Sequence, residues 1–226
     1  MPAPILPPAT EQELLERALA LSGSQISQLA IKTQIDLPTT KKHGKGLVGQ
    51  MIEQVLGADA GNKPLPDFES LEIELKTLPV SPQGNVVETT FVCSIDLRAG
   101  FENTWRESRV YHKLKRVLWF PVEDTPNKEW TSLRLGVPFI WSPTAEQESI
   151  LTNDWLDHMS LIAKGLSDGI SARRGKVLQI RPKAANSHVR RIAQDASGDT
   201  FSAKPIGFYL RRQFTQQLLE HAMNAP

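Results

Sequence analysis

Residues 65–80 read LPDFESLEIELKTLPV, with Leu71, Ile73 and Leu75 set alternately against Glu72, Glu74 and Lys76. Successive strand side chains point to opposite faces, so this period of two fits a strand with one dry and one wet side and fits no helix. The alternation returns after the turn cluster SPQGN, at Val87, Thr89, Phe91, Cys93 and Ile95, and the two runs read as a hairpin. Further strands are expected over 116–122, 137–141, 176–180 and 207–210.

Helical periods surround these runs. Thr10 and Glu13 have capping-box spacing ahead of Leu14, Leu15, Ala18 and Leu19, and Ser24 caps a short second helix. A third helix over 46–56 turns Leu47, Val48, Met51, Ile52, Val55 and Leu56 inward, with Glu53 on the flank and Gly57 as its stop. Ser142 and Pro143 open a long helix as N-cap and first residue, and its buried stripe is Ile150, Leu151, Trp155, Met159 and Ile162. A last helix covers 213–223. The order of elements predicts an α/β or α+β sheet flanked by helices. The 226 residues suffice for one core, or one core with two lobes.

Charge is unevenly spread. Residues 1–100 hold 8 Lys/Arg against 12 Asp/Glu, whereas residues 101–226 hold 18 against 13. No acid occurs from Gly169 to Gln194, where Arg173, Arg174, Lys176, Arg181, Lys183, Arg190 and Arg191 stand. The segment reads as a polyanion footprint or as a merely basic face. RESRVYHKLKR, residues 106–116, adds five Lys/Arg against one acid, and GFYLRRQF sets Tyr209 beside Arg211 and Arg212. On pattern alone Tyr209 reads as core-facing.

The acidic strand poses the chemical question. Glu74 and Lys76 share the wet face, a turn can bring Asp67 back over the strand's start, and Glu53 can reach the same spot. A solvated polar face with a Glu–Lys pair would look the same. Pro66-Asp67, six residues, Glu74, one residue and Lys76 is also the PD-(D/E)xK order of restriction-endonuclease-like nucleases. Oxygen donors suit Mg²⁺, which neutralises a phosphodiester and lowers the pKa of water. A lysine beside them orients or deprotonates that water, or stabilises developing charge.

Other chemistries find no footing. His43, His112, His158, His188 and His221 are scattered and read as structural or surface residues. Cys93, the only cysteine, lies on the apolar side of its strand, which suits a core residue in a reducing, cytoplasmic setting. GLSDG (165–169) and GKGLVG (44–49) match G-x-S-x-G and G-x-G-x-x-G in spacing, but neither follows an expected strand, and no Walker A sequence occurs. No apolar run approaches the roughly 18 residues of a membrane span, and MPAPILPPAT reads as a Pro-rich arm rather than a signal peptide.

KGLVGQMIEQVLGA, PDFESLEIELKT, ETTFVC, HKLKRVLW, LQIRPKAAN and GFYLRRQF occur in this order between about residues 11 and 220. Together they resemble the MutH family of methyl-directed mismatch-repair endonucleases. The resemblance implies a single α/β, restriction-endonuclease-like nuclease domain over 1–226. It has a central mixed β-sheet flanked by helices and two lobes around a DNA cleft. The catalytic lobe covers about 1–105 and the basic, DNA-reading lobe about 106–226.

It further implies Mg²⁺-dependent nicking of the unmethylated strand at hemimethylated GATC, with Mn²⁺ as an acceptable substitute. MutL is the implied activator and MutS acts indirectly; no membrane is involved. Asp67 and Glu74 would hold the metal, Lys76 would orient water, and Glu53 and Lys113 would complete the catalytic set. Lys45 and Phe91 would line the DNA path, Arg181 and Lys183 would read the groove, and Tyr209 would sense the adenine N6-methyl. One acidic cluster per chain fits one cut per monomer. A GATC restriction enzyme cutting both strands, and a DNA-binding module without catalysis, are the rival readings.

Overall fold

A computed structural model describes residues 5–61, 63, 65–97, 104–183 and 189–224, with backbone alone at 41–43, 45 and 168. In chain order the helices are α1 (Glu11–Leu19), α2 (Ile26–Thr33), α3 (Lys41–Leu56), α4 (Arg109–Leu114), α5 (Ala145–Ala163) and α6 (Arg212–Asn224). The strands are β1 (Glu74–Val80), β2 (Thr90–Ser94), β3 (Val117–Glu123), β4 (Phe139–Trp141), β5 (Leu178–Pro182), β6 (Arg191–Gln194), β7 (Thr200–Ala203) and β8 (Ile206–Leu210). None of the described helices is long and apolar enough to cross a membrane.

Contacts divide the chain into two units, Met1–Glu88 with Lys115–Ser142, and Thr89–Leu114 with Pro143–Asn224. A single cut near residue 105 does not separate them, because strands pair with partners far along the chain. The α/β class expected from sequence holds, with the strands shared among three sheets in the orders β1-β3-β4, β2-β8-β5 and β6-β7.

In the first unit, β1 runs parallel to β3 and β4 antiparallel to it. β3 is an apolar run buried on both faces, as a central strand should be. One face carries Leu75, Leu118 and Phe120 into a core with Leu14, Leu29, Met51, Ile52 and Leu56 from α1, α2 and α3. The Thr10 hydroxyl accepts from Glu13 N–H at 3.1 Å, and the Glu13 carboxylate accepts from Ala9 N–H at 2.8 Å. Gly57 ends α3 at φ +83°, where a Cβ would stand 2.5 Å from the Leu6 carbonyl oxygen, so only glycine fits.

The expected hairpin does not form. Its turn does, with Ser81 N–H donating to the Asn85 carbonyl at 2.8 Å, but only Val80 and Val86 then bridge. β1 finds its long pairing with β3, and β2 continues into the second unit, antiparallel to β8. α5 begins at Thr144 rather than Ser142, because Thr144 and Gln147 form a capping box of 3.2 and 3.0 Å. The β6-β7 hairpin carried no sequence signal, since three of the four residues in β6 are exposed.

In the second unit α5 holds the entrance to β5. The Asp154 carboxylate accepts from the backbone N–H groups of Lys176, Val177 and Leu178 at 2.7–2.8 Å. His158, fully buried beside Phe208, donates from Nε2 to the Leu178 carbonyl at 3.1 Å. Burial lowers the His158 pKa, with the Leu178 carbonyl, Asp154 and Asp157 opposing it and Arg174 adding to it. His158 thus stays neutral when folded, whereas the unfolded side chain protonates near about 6.5. The stability this confers is present above that pH and is lost as pH falls toward the folded value. Thermal melting between pH 8 and 5 should show the midpoint dropping below about 6.5, with a shallower drop in His158→Gln. An equal slope in the variant would remove His158 from this role.

Candidate functional site

The turn before β1 builds the acidic site. Phe68 and Ile73 bridge antiparallel, at 3.0 Å and 3.3 Å, around the single 3-10 turn Glu69–Leu71. Glu72 closes this turn at φ 54° and pairs with Lys115 at 2.6 Å. The next pair outward from that bridge is Asp67 and Glu74. Asp67 Oδ2 accepts from Leu75 N–H at 2.8 Å, and the Asp67 carbonyl accepts from Asp59 and Ala60 N–H. The expected fold-back of Asp67 over the strand's start is therefore present.

Lys76 Nζ donates to Glu74 Oε1 at 2.9 Å. The face they share is not wet, because Glu74 is 5% and Lys76 8% exposed. Val117 and Trp119 lie beside them in register, both fully buried. A carboxylate and an ammonium survive such burial by neutralising each other.

Glu53 sits on α3 with its carboxylate toward β1. A Cβ on Gly49 would lie 3.8 Å from Glu53 Oε1 and 4.0 Å from Thr77 Cγ2. Among the described residues no three His, Cys, Asp or Glu side chains gather closely enough to hold a metal ion. Asp67, Glu74 and Lys76 thus come together, and Glu53 does not join them as a third carboxylate ligand. Lys113 lies half-buried on α4. Lys45 lies on α3, with its side chain outside the described residues.

Asp67 and Glu74 offer only oxygen to a cation, and Mg²⁺ is commonly held by one or two carboxylates with substrate phosphate and water. The donor set fits a hard divalent ion completed by its substrate.

The other expected residues meet on one face of the β2-β8-β5 sheet. Register sets Phe91 and Gln179 on either side of Tyr209, and Ser94 and Arg181 on either side of Gly207. Phe91 and Tyr209 meet edge to face with ring centres 5.3 Å apart. The Arg181 guanidinium lies 5.9 Å from the Tyr209 ring centre, and Lys183 Nζ lies 3.4 Å from that of Phe91. Arg181 donates to Thr89 Oγ1 at 2.7 Å, and Lys183 to Ser94 Oγ at 3.2 Å.

Tyr209 is half-buried on the face opposite Phe208 and Leu210, so the core-facing reading is corrected by strand alternation. Burial raises the Tyr209 phenol above its ordinary range, with Arg181 opposing, so the hydroxyl keeps its proton at neutral pH. Cys93 is buried as expected, and so is His158; His112 and His221 are exposed. His188, and the side chain of His43, lie outside the described residues. Sequence reasoning missed Thr89 and Ser94, whose partners lie 92 and 89 residues away.

Residues 56–154 match the family model described as DNA mismatch repair enzyme MutH. The chain is 46% identical over 218 residues to a DNA mismatch repair protein MutH of Vibrio vulnificus (strain YJ016), covering 96% of each. It is 45% identical over 216 residues to one of Yersinia pestis (strain Pestoides F), covering 96% of this chain and 95% of that relative.

Removing one partner of a buried ion pair leaves the other uncompensated, at about 3 kcal/mol. In chelator, Lys76→Met should lower unfolding stability by about that amount, and the Glu74→Gln/Lys76→Met double variant should recover most of it. Urea titration checks this; a single variant as stable as the parent would show that the pair is not desolvated in solution.

Proposed function

Because the chain belongs to the MutH family of DNA mismatch repair endonucleases, we propose that it is a Mg²⁺-dependent nickase. Its substrate on this reading is hemimethylated GATC, cut 5′ to the G on the unmethylated strand. The observation that carries the reading is a pair of hydrogen bonds at the start of β1, from Leu75 N–H to Asp67 Oδ2 and from Lys76 Nζ to Glu74 Oε1.

Asp67 and Glu74 would hold the divalent ion. That ion supplies positive charge against the phosphate and lowers the pKa of water. The Leu75 N–H fixes the Asp67 carboxylate, so the oxygens need little reorganisation when substrate arrives. Lys76, hydrogen-bonded to Glu74, orients the attacking water and stabilises charge growing on the phosphoryl oxygens. Glu53 shapes the same end of β1 from α3, and Lys113 contacts the reacting strand.

On the second sheet, Arg181 and Lys183 present donors to base edges, where a guanidinium can fork onto guanine O6 and N7. Lys45 and Phe91 line the DNA path. Tyr209 meets adenine N6, where a methyl adds bulk and removes a donor. One acidic site per chain gives one cut per monomer, with MutL as activator downstream of MutS.

A supercoiled plasmid with one hemimethylated GATC site, incubated with Mg²⁺ with and without MutL, tests the reading. Open circles broken in the unmethylated strand are expected, faster with MutL. Linear product would point instead to a double-strand cutter. Glu74→Ala and Lys76→Ala should each lower the nicking rate by about 100-fold or more while DNA binding survives in a gel shift; cleavage at the parental rate would reject the site assignment. Tyr209→Ala should cut methylated and unmethylated strands more evenly, and unchanged strand preference would take Tyr209 out of methyl sensing.

A further inference from the structure

We infer that Thr89 and Ser94, hydroxyls flanking the two ends of β2, hold the Arg181 and Lys183 cations over the Tyr209 and Phe91 rings before DNA arrives, so that these two side chains meet the base edges already aimed. The inference rests on the reading of Arg181 and Lys183 as base readers and adds two positioning residues to it.

Arg181 lies on β5, whereas Thr89 and Ser94 lie at β2, with β8 between them. Neighbouring strands are about 4.8 Å apart, so a side chain bridging the outer strands spans roughly 10 Å. Between Ser94 and Arg181 in register, β8 carries Gly207. A Cβ there would stand 3.0 Å from Phe91 Cε2 and 2.9 Å from the Cys93 carbonyl oxygen. The missing side chain lets the Phe91 ring lie against β8, and Lys183 Nζ then rests 3.4 Å from the centre of that ring.

Each cation has a hydroxyl and a ring beside it. Arg181 has the Thr89 hydroxyl at 2.7 Å and the Tyr209 ring at 5.9 Å. Lys183 has the Ser94 hydroxyl at 3.2 Å and the Phe91 ring. Both residues are exposed, and long exposed cations otherwise sample many rotamers whose loss opposes binding. A hydroxyl is a neutral acceptor, so it fixes the cation without cancelling the charge that draws in a polyanion. A carboxylate in its place would cancel that charge. Guanidinium has five donors and ammonium three, so one hydroxyl contact does not use up either group.

The distinguishing property is specificity, read as the ratio of single-turnover cleavage rates on GATC and on a site with one base changed. Thr89→Val keeps the shape and removes the acceptor; it should lower that ratio by about tenfold. Thr89→Ser, which restores a hydroxyl, should recover the ratio. In an Arg181→Ala background, Thr89→Val should cost nothing further, and Ser94→Ala should behave likewise against Lys183→Ala.

A Thr89→Val enzyme with the parental ratio would overturn the inference. So would an effect that persists undiminished without Arg181, or one that serine does not rescue. If Arg181→Ala and Lys183→Ala themselves keep the parental ratio, the reading of this face as a base reader fails, and the positioning role falls with it.

Discussion

The bond from Leu75 N–H to the Asp67 carboxylate is the constraint on which the acidic site depends. Two carboxylates seven positions apart do not meet in an extended chain, whose residues advance about 3.3 Å each. Here the Phe68–Ile73 bridge folds the chain back, and the bond at 2.8 Å fixes Asp67 across the entry to β1. The left-handed Glu72 and its Lys115 partner close the same turn. The bridge and this bond orient Asp67 through local backbone geometry, and rigid geometry is what preorganised electrostatics requires.

The Glu74–Lys76 pair is costly by stability criteria alone. Well-packed apolar residues often replace a buried ion pair at no loss. Side chains two apart on one strand face are held near each other by the backbone, so the pair forms without long-range search. Its burial against Trp119 raises the worth of each charge to whatever enters beside it, because a lower local dielectric strengthens electrostatic interactions. The face that carries Arg181 and Lys183 follows a different rule. Its cations stay exposed and are steadied by rings and hydroxyls.

Much of this was legible in the sequence. The helix at Thr10, the turn at SPQGN and the fold-back of Asp67 all rest on contacts within a few residues, and such signals are written locally. The partner of β1 was not legible, because pairing with β3 depends on which distant strand offers a fully apolar surface. Alternation alone marked Glu74 and Lys76 as wet, since period two tells which residues share a face but not what covers it. Tyr209 was misjudged because the apolar GFYL hides its own alternation; Phe208 and Leu210 face the core and Tyr209 does not. Thr89 and Ser94 gave no signal, since a hydroxyl hydrogen-bonded to a cation some 90 residues away looks like any other strand residue.

The interleaving of the two units along the chain bears on how the protein emerges from a ribosome. β1 is synthesised well before β3, and β2 must wait for β8, which ends at Leu210 near the C-terminus. Pairings so distant close late, so a nascent chain carries β2 without its β8 partner while residues 95–205 are made. Exposed strand edges invite mispairing with other chains, which makes the interval between β2 and β8 the vulnerable period in the protein's biogenesis.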